Sequence, residues 1–72
     1  MVRVFPNPVV HALHVHHNMN APITVEVVNM SGETLLKAAV FSDYTIDTSN
    51  WPTGVYLFRH SGSEEWKRIR KE

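Results

Sequence analysis

Turn-forming residues divide this sequence into short stretches, and that division constrains the fold more than any other feature. Proline stands at positions 6, 8, 22 and 52, and glycine at positions 32, 54 and 62. Between them the sequence alternates apolar and polar residues or is rich in β-branched and aromatic residues, as β-strands are. Because proline and glycine interrupt regular structure, each marks a boundary between elements. The pattern predicts an all-β fold.

Seven short strands are predicted in a chain of 72 residues, which is typical of a small immunoglobulin-like antiparallel β-sandwich. The best helical window, residues 33 to 40, propagates a helix well but is short and has no stop signal, so a strand is preferred there. The predicted strands are Val2 to Phe5, Ala12 to His16, Ile23 to Asn29, Thr34 to Ala39, Tyr44 to Asp47, Val55 to Ser61 and Glu64 to Arg70.

Three segments have the composition of tight turns. NMSGE at 29 to 33 and SGS at 61 to 63 suit hairpin connections. Residues 51 to 54 fit a type I turn, with proline in the second place and glycine in the fourth. The four residues that follow are all apolar and predict an interior strand, with Tyr56 and Phe58 on one face.

The chain contains no cysteine, so neither a disulfide nor a thiolate metal site can stabilise it. A single core in a chain this short only just offsets the conformational entropy, so most apolar side chains are needed in the core. Seven basic and seven acidic residues give a formal charge of zero, which argues against nucleic-acid binding by the whole domain. No transmembrane segment or signal peptide is recognisable; for an exported protein we expect the signal peptide to lie elsewhere.

Histidines are concentrated in HALHVHH, residues 11 to 17. His14 and His16 fall on one face of the predicted strand, and imidazoles in this spacing can bind a metal ion. No nearby carboxylate or thiol completes a tetrahedral set, however. A solvated polar face is therefore the preferred interpretation for His11, His14, His16 and His17, and no metal site or cofactor is predicted.

The opening segment FPNP, residues 5 to 8, contains two prolines that fix two φ angles and favour extended backbone at Phe5 and Asn7. We expect it to be stiff and extended. One interpretation is that the prolines keep a strand edge from pairing with other chains. The other is that the segment serves as a recognition or cleavage landmark.

The other end of the chain is basic, since WKRIRK at residues 66 to 71 holds four of the seven basic residues. Such a segment can bind an acidic partner or a membrane surface. It can equally be a charged edge strand that prevents aggregation. The sequence alone leaves both interpretations open, although the charged edge strand is preferred on physical grounds.

Catalysis and sugar binding have weaker support. No Gly-x-Ser-x-Gly segment, paired-carboxylate spacing or phosphate-binding glycine loop occurs, and a chain this short has little room for a shaped pocket. We therefore expect no enzymatic activity. Four aromatic residues could form a sugar-stacking platform, but in a core this small they more often pack; they are Tyr44, Trp51, Tyr56 and Trp66.

Taken in order, these motifs resemble the type A C-terminal sorting domain of the type IX (Por) secretion system of Bacteroidetes. The resemblance covers essentially the whole chain and depends on the order and spacing of the motifs. They are FPNP at 5 to 8, LHV at 13 to 15, VEVVNMSG at 25 to 32, IDTSNWPTGVYLFR at 46 to 59, and the basic end.

The resemblance implies a single sorting domain, residues 1 to 72, excised from the C-terminus of a larger exported protein. Such a domain crosses the inner membrane by the general route, folds in the periplasm and is recognised by the outer-membrane translocon. A sortase then removes it, and the cargo is attached to the cell surface or released. The implied partners are the translocon, the sortase and the covalently linked cargo.

The family's functional positions can be carried over to this sequence. The recognition elements implied are Pro6, Asn7 and Pro8 in the opening segment and Lys67, Arg68 and Lys71 in the last strand. Gly32, Pro52, Gly54 and Tyr56 are implied as structural positions, the two glycines in turns and the tyrosine in packing.

The sequence departs from the family pattern at several positions. Thr48 and Trp51 stand where leucine is usual, so the loop there could pack differently. His60 is predicted to share a face with Tyr56 and Phe58, where a buried imidazole needs a hydrogen-bond partner. A shift of one residue in the register of the last strand would exchange the faces of the basic residues at positions 67 and 68.

A second hypothesis, from a different class, is an immunoglobulin-like accessory module that binds carbohydrate or a cell-surface partner through exposed tryptophan and tyrosine. Gene context distinguishes the two hypotheses. A sorting domain should be the last element of its gene, with a signal peptide and a cargo upstream. An accessory module could lie anywhere.

Overall fold

The computed structural model describes residues 1–72, which form seven strands and no helix. The strands pair antiparallel in two sheets, with the order β1-β2-β5 in one and β4-β3-β6-β7 in the other. The predicted small antiparallel β-sandwich is therefore confirmed. The strands are β1 (Val2–Phe5), β2 (Ala12–His17), β3 (Ile23–Asn29), β4 (Thr34–Val40), β5 (Asp43–Asp47), β6 (Gly54–His60) and β7 (Lys67–Lys71).

The core lies between the two sheets and follows from the period-2 alternation of the strands. Strand β3 shows this most clearly, because Ile23, Val25 and Val27 are buried while Thr24 is exposed. The buried apolar cluster draws on both sheets and consists of Val4, Val9, Leu13, Val15, Ile23, Val25, Val27, Val40, Ile46, Tyr56, Phe58 and Ile69.

No helix with the length and apolarity that a bilayer crossing requires is present.

All seven predicted strands are present, and the largest boundary error is at the start of β7. The predicted strand begins at Glu64, whereas β7 begins at Lys67. Local hydrogen bonds hold the preceding residues in a loop: the Ser63 N–H donates to the carbonyl of His60 at 3.2 Å, and the Glu65 N–H donates to Ser63 Oγ at 3.2 Å. Serine side chains compete with strand pairing in this way, which the alternation pattern does not reveal.

The turn between β3 and β4 is held by the side chain of Asn29. Its Oδ1 accepts hydrogen bonds from the N–H groups of Ser31 and Glu33, both at 3.0 Å, and its Nδ2 donates to Glu33 Oε1 at 3.0 Å. Gly32 has a φ of 88°, which residues with side chains rarely adopt. The predicted turn and the structural role of this glycine are explained by that geometry.

The turn before β6 lies three residues earlier than predicted. The hydrogen-bonded turn spans residues 48 to 51, where the Trp51 N–H donates to the carbonyl of Thr48 at 2.9 Å. Thr48 is fully buried; its N–H donates to the carbonyl of His11 at 2.9 Å and its Oγ1 donates to that of Val10 at 3.4 Å. The bond from Oγ1 satisfies the polar side chain at a position where leucine is usual in the resembled family.

His17 joins the two sheets at one end of the sandwich. It is 1% exposed, and its Nδ1 accepts a hydrogen bond from the Met19 N–H at 3.1 Å. Its Nε2 therefore carries the proton and donates to the carbonyl of Val40, in β4, at 2.8 Å. One neutral imidazole thus links β2 of the first sheet to β4 of the second.

We predict that His17→Leu lowers the free energy of unfolding by about 2 kcal/mol, since it leaves the Val40 carbonyl and the Met19 N–H without their partner. Urea denaturation measures the change. The control is His16→Leu, one residue away, where the side chain is exposed and the cost should stay below about 1 kcal/mol. Equal losses in the two variants would contradict the structural role of His17.

Candidate recognition surface

The side chain of Asn7 pairs with the outer edge of β7 as a neighbouring strand would. Its Nδ2 donates to the carbonyl of Arg68 at 3.0 Å, and its Oδ1 accepts from the N–H of Arg70 at 2.9 Å. A carboxamide offers the same donor and acceptor as a peptide group. It can therefore satisfy two backbone groups of an edge strand that has no further strand beside it.

Val9 continues this pairing along β7. Its N–H donates to the carbonyl of Arg70 at 2.8 Å, and its carbonyl accepts from the N–H of Glu72 at 2.9 Å, as part of a parallel bridge to Lys71. Val9 is fully buried. Residues 7 to 9 thus cover the β7 edge from the carbonyl of Arg68 to the N–H of Glu72, and we call them the edge clamp.

The opening segment is bent rather than extended. Phe5 ends β1 in extended backbone as predicted, but residues 7 and 8 form bends, and the Phe5–Pro6 and Asn7–Pro8 peptide bonds are cis. Both prolines are exposed. The prediction of an extended Asn7 was wrong because the chain turns here from β1, in one sheet, to the edge of β7, in the other.

The basic residues of β7 divide between its two faces. Pairing of Ile69 with Tyr56 fixes the register, so Arg68 and Arg70 lie on the outer face. Lys67 shares the inner face with Ile69, but its side chain is exposed at the end of the strand. Lys71 is only 6% exposed, and its Nζ donates to the carbonyl of Glu72 at 2.9 Å. Of the three basic residues carried over from the family, Lys67 and Arg68 reach solvent and Lys71 does not.

The residues at the entry to β6 pack around Tyr56. Its hydroxyl donates to the carbonyl of Pro52 at 2.5 Å, and its ring lies 4.9 Å from that of Trp51. Gly54 has a φ of 153°, and a Cβ placed there would meet no atom within 4 Å, so backbone conformation rather than crowding favours glycine. His60 is half-buried, and its Nδ1 hydrogen-bonds with the Ser61 carbonyl at 2.8 Å.

The histidine segment does not gather a metal site. His14 and His16 share the predicted outer face, with Nδ1 atoms 3.1 Å from Thr45 Oγ1 and 2.6 Å from Asp43 Oδ1. A carboxylate therefore does lie beside this strand, where the sequence had suggested none, and the hydrogen bond to His16 lowers the pKa of Asp43. No group of three or more metal-ligating side chains is present.

Most of the aromatic residues proposed as a sugar platform are packed. Tyr56 is buried, while Tyr44 and Trp51 are half-buried against the core. Trp66 is exposed, and the guanidinium of Arg59 lies 4.3 Å from its ring centre. These four residues therefore do not share one exposed surface.

A charged network that the sequence pattern does not reveal lies on the outer face of the larger sheet. Arg59 Nη2 lies 2.8 Å from Glu26 Oε1, and Thr34 Oγ1 donates to the other carboxylate oxygen at 3.2 Å. The hydrogen bond from Arg59 holds the pKa of Glu26 below its ordinary value of 4.5. Cross-strand pairing of these residues was not recognisable without the register of β3 against β6.

We predict that the lowered pKa of Glu26 makes the fold sensitive to acid. A carboxyl group with a lower pKa in the folded chain stabilises the fold above its unfolded pKa, and this contribution is lost as pH falls through the folded value. The melting temperature of the wild type should fall more steeply from about pH 5 to about pH 3 than that of Glu26→Gln. Parallel curves would show that the Arg59 pair contributes nothing.

We predict that Asn7→Ala lowers the free energy of unfolding by about 1 to 2 kcal/mol, because the edge of β7 loses two hydrogen bonds. Hydrogen exchange measured by NMR should show faster exchange of the Arg70 amide. Asn20→Ala is the matched control, since Asn20 is exposed and its loss should cost less than about 0.5 kcal/mol. Unchanged exchange at Arg70 would rule out the clamp by Asn7.

The surface at β7 is suited to binding a partner, because exposed basic side chains lie beside the strand edge that residues 7 to 9 cover. A search of curated proteins found no match to the chain. A family model described as the secretion system C-terminal sorting domain matches residues 3–71, which include the edge clamp and all of β7. Because the match spans nearly the whole chain, the chain belongs to the family of C-terminal sorting domains of the type IX secretion system.

Proposed function

We propose that the domain directs a covalently linked cargo through the outer-membrane type IX translocon, and that a sortase then removes it. The family match supports an export signal recognised by the secretion system. We also propose that the translocon recognises the domain, that the sortase removes it, and that export proceeds from the periplasm to the cell surface or the medium. In this proposal the chain is a single domain at the C-terminus of a larger exported protein.

The recognition surface in this proposal comprises the edge clamp and the outer face of β7. One observation carries it: Asn7 bonds to both Arg68 and Arg70, so the two ends of the chain form one surface. Pro6 and Pro8 flank Asn7 and are exposed. Lys67 and Arg68 supply exposed charge. Lys71, being buried, acts by holding the end of β7 in place.

We infer that the domain acts by binding and has no catalytic role or cofactor. Exposed cations on a strand edge favour a partner with acidic groups, because complementary charge speeds encounter and fixes register. Gly32 belongs to the turn between β3 and β4, whereas Pro52, Gly54 and Tyr56 hold the entry to β6, which in turn pairs with β7. Their contribution to recognition is therefore indirect.

The accessory-module hypothesis has one observation in its favour. An open groove of about 470 Å³ on the outer face of the larger sheet is lined entirely by polar residues, including Glu26, Lys37, Arg59 and His60. Polar side chains of this kind can hydrogen-bond to sugar hydroxyls. Binding of a soluble glycan to this groove, seen as NMR shifts confined to it, would support that second candidate.

We predict that a reporter with a signal peptide and this domain at its C-terminus reaches the cell surface in a host with an active type IX system, and remains periplasmic without the translocon. Replacing Lys67, Arg68 and Arg70 together by serine should reduce surface delivery by roughly tenfold, because the cationic edge is lost. Ile69 and Lys71 remain, so the core contribution of β7 is kept. Surface delivery is measured by protease accessibility of the reporter.

Two further reporter fusions serve as controls for this experiment. Replacing Arg3 and Lys37, two exposed cations on other strands, by serine removes charge elsewhere and should leave delivery unchanged. Deleting residues 67 to 72 removes the fully buried Ile69 and should abolish delivery together with folding. Periplasmic retention of the unaltered fusion in every strain would overturn the proposed function.

A further inference from the structure

A groove runs along the side of the sandwich where the two sheets present their edge strands β1 and β7. Its volume is about 320 Å³. Val2, Val4, Phe58 and Trp66 give it an apolar floor, and Val4 and Phe58 belong to the core. The groove is therefore an opening into the sandwich that is large enough to receive apolar side chains.

One backbone group beside this groove is free to pair. Asn7 bonds to the carbonyl of Arg68 from the side away from β6, and in an antiparallel strand the N–H of the same residue points to the same side. The edge clamp begins only at that carbonyl. The N–H of Arg68 thus remains unpaired, next to Trp66 and Lys67, which line the groove.

The exposed charge on β7 itself is positive, since Lys67, Arg68 and Arg70 are all exposed. The exposed carboxylates lie outside the strand: Glu64 and Glu65 precede it, Glu65 in the groove wall, and Glu72 follows it. Extended peptides add as strands to sheet edges that offer unpaired main-chain groups beside apolar pockets, with main-chain hydrogen bonds for affinity and side-chain pockets for specificity. Here the N–H of Arg68 is the group that the edge clamp leaves free. Acidic side chains would complement the cations.

We propose that this groove binds an extended acidic segment of the export machinery, which adds as a short strand to β7 at Arg68 and places an apolar side chain between β1 and β7. The inference rests on the proposed function, since it assigns the partner to that machinery. A second copy of this domain suits the site less well, because two copies would oppose the same cationic edges.

The test compares two substitutions at one position. Arg68→Pro and Arg68→Ala both remove the guanidinium, but only proline removes the outward N–H. Proline is tolerated where the N–H of an edge strand faces solvent, so the bonds to β6 are kept. In the reporter fusion, Arg68→Pro should be exported about tenfold less than Arg68→Ala, the ratio expected for one lost main-chain hydrogen bond. Thermal melts of the purified 72-residue variants check that both fold.

A photo-crosslinking amino acid at position 67 gives an independent measurement in an otherwise unaltered fusion. It should crosslink to a translocon subunit identified by mass spectrometry, whereas the same group at Lys37, on the outer face of β4, should not. If Arg68→Pro does not fold, the crosslinking result by itself tests the proposed binding site. Crosslinks only to a second copy of the domain, or none at position 67, would overturn the inference.

The outcomes distinguish failure of the groove inference from failure of the proposed sorting function. If the unaltered fusion depends on the translocon and the two Arg68 variants are exported equally, the groove inference is overturned and the sorting function stands. If the unaltered fusion is exported independently of the translocon, both are overturned.

Discussion

The pairing of the edge clamp with β7 is the interaction on which the rest of this structure depends. β7 has five residues and one neighbouring strand, β6, so its other edge would face solvent along its whole length. Two hydrogen bonds from the Asn7 side chain and two from the Val9 backbone cover most of it. Val9 and Ile69 are both fully buried and belong to the same core cluster, so hydrogen bonding and apolar burial both stabilise this junction.

This junction also explains how a cysteine-free chain of 72 residues closes a sandwich. One edge strand of each sheet, β1 in the first and β7 in the second, lies on the same side of the core, and the two sheets have no strand in common. The opening segment crosses from β1 to β7 and closes one end of that side. His17 makes a second link through the Val40 carbonyl. The contact of His17 is buried and fully hydrogen-bonded, and a contact of this kind fixes one arrangement of two sheets that apolar packing alone would leave free to slide.

Much of the fold could be predicted from the sequence, because alternation in stretches such as Ile23 to Val27 reports directly on which face is buried. The contacts that join the sheets could not. Nothing local distinguishes Asn7, whose partners are 61 and 63 residues away, from any other asparagine between prolines. The burial of Lys71 could not be predicted for a similar reason, because it follows from the strand register and from the neighbouring Val9, and not from the chemistry of lysine. The two segments of the proposed recognition surface were suggested by family resemblance, whereas their contact with each other came only from the structure.

The long separation between those partners has a consequence for the sorting function. Asn7 and Arg70 lie 63 residues apart, so their contact exists only when both termini have reached their places in the completed sandwich. The register of β7 depends on β6, which pairs with β3; the surface therefore depends on the pairing of every strand of the larger sheet except β4. A machinery that binds the clamped edge of β7 discriminates a folded domain from an unfolded chain of identical sequence. Recognition of basic residues alone would not make that distinction, because Lys67, Arg68 and Arg70 carry the same charge in both states.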